Sequence, residues 1–205
     1  MNGNRLDVIL AGVGGQGILS AANILAIAAR EAGLHVKQSE VHGMSQRGGA
    51  VQAQLRISDQ PIASDLVPRG GADMILSMEP VEGLRYLEYL RPGGVLVTSS
   101  EPFLNIPDYP PLDGILERIF EIPGSVAVEA TRLAREAGSP YAANVVMVGA
   151  ASPFIPLDPC LLEDAIVALF RRKGEKVVRV NVDAFHRGRA AAAGTSSAAS
   201  VPQGV

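Results

Sequence analysis

Val8-Ile9-Leu10-Ala11 runs without a polar break into Gly12-Val13-Gly14-Gly15-Gln16-Gly17, and then into Ile18-Leu19-Ser20-Ala21-Ala22-Asn23-Ile24-Leu25-Ala26. A strand that is apolar on successive positions is dry on both faces, which places it inside a parallel sheet and not at a half-exposed edge. Gly12, Gly14 and Gly17 take the G-x-G-x-x-G spacing between this strand and a helix. Glycine there permits a tight turn, a close approach of backbone to a ligand and close packing of helix on strand, while the first N–H groups of the helix point at an anion. Gly12, Gly14, Gly15, Gln16 and Gly17 are therefore candidate binding residues. The same glycines also serve a plainer end, letting the first helix lie close on the sheet. The order strand, turn, helix points to an α/β fold, doubly wound around a mostly parallel, Rossmann-like sheet.

The first helix is expected over residues 15–32, apolar nearly all round and stopped by Gly33, and a second strand over 34–41. Val51-Gln52-Ala53-Gln54-Leu55-Arg56-Ile57-Ser58 alternates apolar and polar side chains, the pattern of an antiparallel edge strand with one wet face. Strands follow at 72–78 and 94–100, with a helix over 81–90 capped by Glu79-Pro80. Residues 102–113 read as an irregular proline-rich connection, 117–122 as a short strand, and 125–137 and 144–151 as helices. Asp158-Pro159 opens a helix that ends at Arg171-Arg172-Lys173-Gly174, with every start and stop signal in agreement. Val177 to Val182 reads as a final strand or an extended segment docking on a neighbour. One domain is expected over residues 1–189. Residues 190–205, rich in Ala, Ser and Gly, lack the large apolar side chains that would offset ordering entropy and are expected to be a flexible tail.

After the second strand comes Glu40-Val41-His42-Gly43-Met44-Ser45-Gln46-Arg47-Gly48-Gly49, polar and glycine-rich, at an edge expected to face the same crevice as the glycine turn. Glu40, His42, Ser45, Gln46, Arg47, Gly48 and Gly49 join the candidate binding residues. Arg47 is foremost, because a guanidinium grips a phosphate or carboxylate with two parallel hydrogen bonds. Ser77, Glu79, Ser99 and Ser100 also fall at carboxyl ends of strands, where simple helix capping accounts for them equally well. Asn144 reads as a helix cap or as a pocket contact.

Composition narrows the chemistry. The net charge of -3, without a basic block, does not indicate nucleic acid or a membrane surface as partner. The first residues have no signal-peptide layout, and residues 18–29 are too short an apolar run to span a bilayer, so a cytoplasmic location is expected. Cys160 is the single cysteine and cannot supply the four thiolates of an iron–sulfur cluster. The three histidines are scattered, so no metal site is expected. No set of residues for catalysis stands out either.

Gly12 to Gly17 followed by Ser39-Glu40-Val41-His42-Gly43-Met44-Ser45-Gln46-Arg47-Gly48-Gly49 resembles the gamma-type subunits of 2-oxoacid:ferredoxin oxidoreductases, and within them the beta subunit of the indolepyruvate branch. The likeness continues through Ala50-Val51, Pro61-Ile62, Ala72-Asp73 and Asn144 to Gly149, and covers most of residues 6–187. It implies a cytoplasmic hetero-oligomer whose large partner subunit carries thiamine diphosphate and the iron–sulfur clusters, with no cofactor bound tightly by this chain. The reaction implied is CoA-dependent oxidative decarboxylation of a 2-oxo acid, an aryl pyruvate such as indolepyruvate leading, with ferredoxin as electron acceptor. CoA is then the ligand to expect at the glycine turn and the Arg47 loop.

Two other readings remain open on the residues. One is an autonomous NAD(P)-dependent oxidoreductase, favoured by the glycine spacing and disfavoured by the His-Gly-Met-Ser-Gln-Arg sequence that follows Glu40. The other is a purely structural assembly subunit.

Overall fold

The computed structural model describes residues 5–42, 48–104 and 108–196. Six strands form one sheet: β1 (Arg5–Val13), β2 (His35–His42), β3 (Ala50–Ser58), β4 (Ala72–Ser77), β5 (Leu90–Ser99) and β6 (Val126–Val128), in the order β2-β3-β1-β4-β5-β6. β1 pairs parallel with β4, β4 with β5 and β5 with β6, whereas β3 is antiparallel to both β1 and β2. Five strands therefore run one way, and the antiparallel pairing is confined to one side of the sheet, as expected. β2 takes the edge itself and β3 lies one strand in.

β1 is buried along nearly its whole length because helices cover both faces. Val8 and Leu10 pack toward α1 (Ile18–Glu31), α5 (Ala143–Ala151), α6 (Pro159–Phe170) and α7 (Glu175–Ser196). Ile9, with Ile75 and Leu96, packs toward α2 (Pro80–Arg85) and α3 (Leu112–Phe120). α4 (Ala130–Glu136) completes the larger layer. α6 begins as its signals require, with Asp158 accepting a hydrogen bond from the Cys160 N–H at 2.9 Å and Pro159 in the first position.

Several expectations give way. β3 has no wet face: Gln54 Oε1 accepts from the Val67 N–H at 2.6 Å, and Arg56 donates to the carbonyls of Ser64 and Leu66 at 2.9 and 2.8 Å, so the chain between β3 and β4 folds over its polar side. Arg56 also pairs at 2.9 Å with Asp7, whose side chain is buried on β1, and Arg5 bonds the same carboxylate. Residues 117–122 are not a strand, since most of them belong to α3, and the helix expected from 125 begins only at Ala130, after β6. The first helix starts at Ile18, later than expected, because Gly17 lies in the left-handed region at φ 80°. The helix expected over 81–90 stops at Arg85, and a 3-10 turn over Leu87–Tyr89 leads into β5.

The largest departure is at Val177–Val182, which lies within α7. Valine favours strands intrinsically, but Asn181, Ala184, Phe185 and Ala192 are buried at helical spacing and their packing decides. α7 continues to Ser196, past the boundary at 190 expected from composition. It crosses α5 with backbone against backbone. A Cβ on Gly188 would lie 1.9 Å from the carbonyl oxygen of Val146, and one on Gly149 would lie 2.0 Å from that of Phe185.

Candidate functional site

The parallel strands deliver their carboxyl ends to one edge of the sheet, and the glycine turn sits there between β1 and α1. Gln16 closes it: its Oε1 accepts from the Val13 N–H at 2.7 Å, and its Nε2 donates to the carbonyl of Met78, just past β4, at 3.1 Å. The Gln16 side chain is thus a strut within the turn. Gly17 is required twice over, by its positive φ and by Asn144, whose Nδ2 would lie 2.7 Å from a Cβ there. Asn144 Nδ2 donates to the Gly17 carbonyl at 3.2 Å and so ties α5 to the start of α1. No side chain caps α1, and its first turn holds no acidic residue.

The second glycine segment meets the first. Gly14 N–H donates to the Gly49 carbonyl at 2.8 Å, and Gly48 N–H to the Gly14 carbonyl at 3.4 Å. Of the sequence candidates, Gly12, Gly14, Gly15, Gln16, Gly17, Gly48 and Gly49 are therefore gathered around one turn. Glu40 and His42 belong to the end of β2, where Glu40 is exposed and accepts from Gln38 Nε2 at 3.0 Å. Ser45, Gln46 and Arg47 lie outside the described residues.

The place of Glu40 bears on the dinucleotide reading. In a dinucleotide fold the acidic residue ends the strand beside the glycine turn, within reach of the ribose. Here β3 intervenes, and two strand spacings put the β2 edge about 10 Å from β1.

On the other side of the turn, toward β4, β5 and β6, lies a cavity of about 430 Å³. Gly15 to Gly17 and Ser20 of α1 form one wall, and Ser99 and Glu101, from the end of β5, face them. Asn144, Met147 and Met78 line it as well, while Phe103, Tyr141 and Lys173 bring side chains from distant parts of the chain. Glu101 accepts a hydrogen bond from the Thr131 N–H, which fixes the start of α4. Ser99 accepts from the Glu101 N–H at 3.1 Å, and Ser77 and Glu79 act within their own connection, Glu79 capping α2 through the Glu82 N–H at 2.8 Å. Tyr109 donates its hydroxyl to Glu79, and burial together with that bond pushes the phenol above its ordinary range. Thr131, Tyr141 and Lys173 carried no motif, because their convergence is a product of topology alone.

Among the described residues no group of three or more His, Cys, Asp and Glu side chains could hold a metal ion, and no helix is long and apolar enough to cross a membrane.

Comparison with known proteins gives this edge its context. Residues 7–191 match the family described as pyruvate ferredoxin/flavodoxin oxidoreductase. The chain belongs to that family. It is 42% identical to the indolepyruvate oxidoreductase subunit IorB of Thermococcus kodakarensis over 197 residues, covering 91% of this chain and 95% of that one. The 2-oxoglutarate synthase subunit KorC of Archaeoglobus fulgidus is 29% identical over 194 residues, with 90% of this chain and 89% of the relative covered. Among solved structures, the gamma subunit of a keto/oxoacid ferredoxin oxidoreductase from Geobacter sulfurreducens superposes with a TM-score of 0.70 at 26% identity, covering 92% of this chain and 99% of that subunit. The fold also matches the 2-oxoglutarate:ferredoxin oxidoreductase of Magnetococcus marinus, solved with 2-oxoglutarate, coenzyme A and succinyl-CoA bound, at a TM-score of 0.73 and 25% identity. There 93% of this chain is covered but only 31% of the other, so the present chain spans about a third of that polypeptide. These relatives bear out the resemblance seen in the Gly12–Gly17 and Ser39–Gly49 segments.

Proposed function

We propose that this chain is the small subunit of a 2-oxoacid:ferredoxin oxidoreductase acting on an aryl pyruvate such as indolepyruvate. In this reading a large partner subunit carries thiamine diphosphate and the iron–sulfur clusters, which supply decarboxylation and electron transfer to ferredoxin. The donor set of this chain does not fit a cluster, since one cysteine stands in 205 residues. Its own work is to close over the partner's active site and to hold the phosphates of CoA between the glycine turn and the Arg47 loop. The observation that carries the placement is the backbone pairing of Gly14 with Gly48 and Gly49, which sets the residue after Arg47 directly against the turn. In this reading the first-turn N–H groups of α1, which no side chain caps, and the Arg47 guanidinium are the donors offered to the anion.

The test uses the assembled complex. Arg47→Lys keeps the charge but loses the planar fork, so it weakens CoA use by about 1–3 kcal/mol, a 5- to 150-fold rise in the CoA requirement, with assembly and melting temperature preserved. A variant that fails to assemble, while its active fraction keeps a normal CoA dependence, makes Arg47 a scaffold residue and refutes this placement.

A further inference from the structure

α6 ends and α7 begins at one corner of the molecule, and that corner is basic. Arg171, Arg172, Lys173, Lys176 and Arg179 stand close together along the chain with one acid among them, Glu175, although the whole chain has a net charge of -3. All six residues are exposed. Glu175 is taken by Arg179 at 3.6 Å, and among the described residues no carboxylate pairs with the other four cations. Arg171 to Lys173 form the 3-10 turn that finishes α6, where the last carbonyls of a helix favour positive charge. That reason does not extend to Lys176, in the first turn of α7, where the partial charge of the helix is itself positive. The two helix ends oppose each other, so most of the positive charge at this corner is left uncompensated.

A hollow of about 380 Å³ opens beside these cations, bordered by Lys173 and Lys176 and lined with apolar surface from Phe170, Val177 and Val180. Tyr141, 92% exposed, stands at its rim as a large ring left in water. Asn181 lines the hollow too and is only 5% exposed; its Nδ2 donates to the Val177 carbonyl at 2.8 Å, and its Oδ1 has no partner among the described residues. That oxygen is left to accept from a donor outside the chain. Tyr141, Phe170 and Lys173 form the ridge between this hollow and the cavity beside the glycine turn, whereas Lys176, Val177, Val180 and Asn181 line this hollow alone.

Three demands meet here: the cations call for acidic groups, the lining calls for an apolar side chain, and the amide oxygen calls for an N–H. A nucleic acid is repelled by the negative remainder of the chain and follows a longer basic track than one corner, whereas a short acidic peptide meets all three demands in one place. We infer that this corner docks an acidic segment of a partner protein. An apolar side chain of that segment enters the hollow beside Tyr141, neighbouring carboxylates face Arg171, Arg172 and Lys176, and a backbone N–H donates to Asn181 Oδ1. The inference goes beyond the function proposed above and uses neither its substrate nor CoA.

The experiment pans a random-peptide phage library on the full chain and titrates the enriched peptides, synthesised with a fluorescent label, by anisotropy. Enriched sequences are expected to carry several Asp or Glu beside a Leu, Ile or Phe. Their binding weakens about tenfold or more as salt rises from about 0.05 to 0.3 M. Arg171→Gln, Arg172→Gln and Lys176→Gln together abolish it, and Tyr141→Ala weakens it about fivefold, the scale of one aromatic contact. All four residues are exposed, so the melting temperature stays nearly unchanged. Arg30→Gln, Arg69→Gln and Arg118→Gln together remove the same charge from exposed positions elsewhere and leave the binding intact. The inference is overturned if the enriched peptides are not acidic, if the first triple variant keeps them, or if the second loses them equally. A short single-stranded oligonucleotide that binds at the same residues more tightly than the best peptide also overturns it, in favour of a nucleic-acid surface. Each of these outcomes leaves the proposed function standing.

Discussion

Gly188→Ala adds one methyl group where α7 crosses α5, and the cost of that methyl measures how closely the two backbones lie. The new Cβ would be 1.9 Å from the Val146 carbonyl oxygen, 2.8 Å from its carbon and 3.0 Å from Val146 Cα. Carbon and oxygen come no closer than about 3.3 Å even in favourable C–H···O contacts, so the helices must part by about 1.4 Å. A gap of that size forfeits half or more of the dispersion along the crossing, where every residue of α5 from Asn144 to Ala151 is buried. Against this stands a gain of about 1 kcal/mol from replacing glycine by alanine within a helix. Overpacking usually costs about 1–3 kcal/mol, and more where rigid backbone is struck, so a net loss of about 2–4 kcal/mol is expected. For a chain of this length that is a fall in melting temperature of about 5–15 °C. Gly114→Ala in α3 is the control: nothing lies within 4 Å of its Cβ, and it should stabilise slightly. The double variant with Gly149→Ala should cost less than the sum, since helices already parted accept the second methyl more easily. Thermal unfolding read by circular dichroism decides. A Gly188→Ala chain that melts at or above the wild type refutes the close crossing.

Asp7→Asn leaves the Arg56 guanidinium buried without its counter-charge and should destabilise by about 3 kcal/mol, while Asp7→Leu with Arg56→Met costs less than the single change; denaturant titration of the set checks both. Glu82 is nearly buried, with Oε2 lacking a partner, and burial pushes its carboxyl above the ordinary value of 4.5 against the opposing pull of Arg85. A raised folded-state value favours the fold below that ordinary value, and the contribution is lost as pH rises through the folded-state value. Glu82→Gln should therefore raise the melting temperature at neutral pH, with the gain shrinking toward pH 4; a gain that is flat across this range, or absent, refutes the assignment.

What the sequence disclosed were the features governed by neighbours along the chain. The strand, turn and helix around Gly12–Gly17 and the capped start of α6 follow from a few consecutive residues, and they stand in the structure as expected. The errors came where tertiary packing overrules local preference. Val177, Val178, Val180 and Val182 look like a strand until Phe185 and Gly188 show which face meets α5. Gln54, Arg56 and Ser58 look wet until the segment after β3 folds back over them. The cavity was the least legible part, because Gly17 and Asn144 are 127 positions apart and only the sheet order brings them into contact.

The outer edge of β2 has a consequence for handling the subunit apart from any partner. An edge strand of eight residues offers unpaired backbone groups to a strand of another molecule, which is a route to edge-to-edge aggregation. β2 carries exposed His35, Lys37 and Glu40 along that border, and the opposite edge, β6, is three residues long. Charge guards one border and brevity the other. Replacing Lys37 and Glu40 by valine and threonine would leave the core untouched and turn the sheet into a template for its own polymerisation.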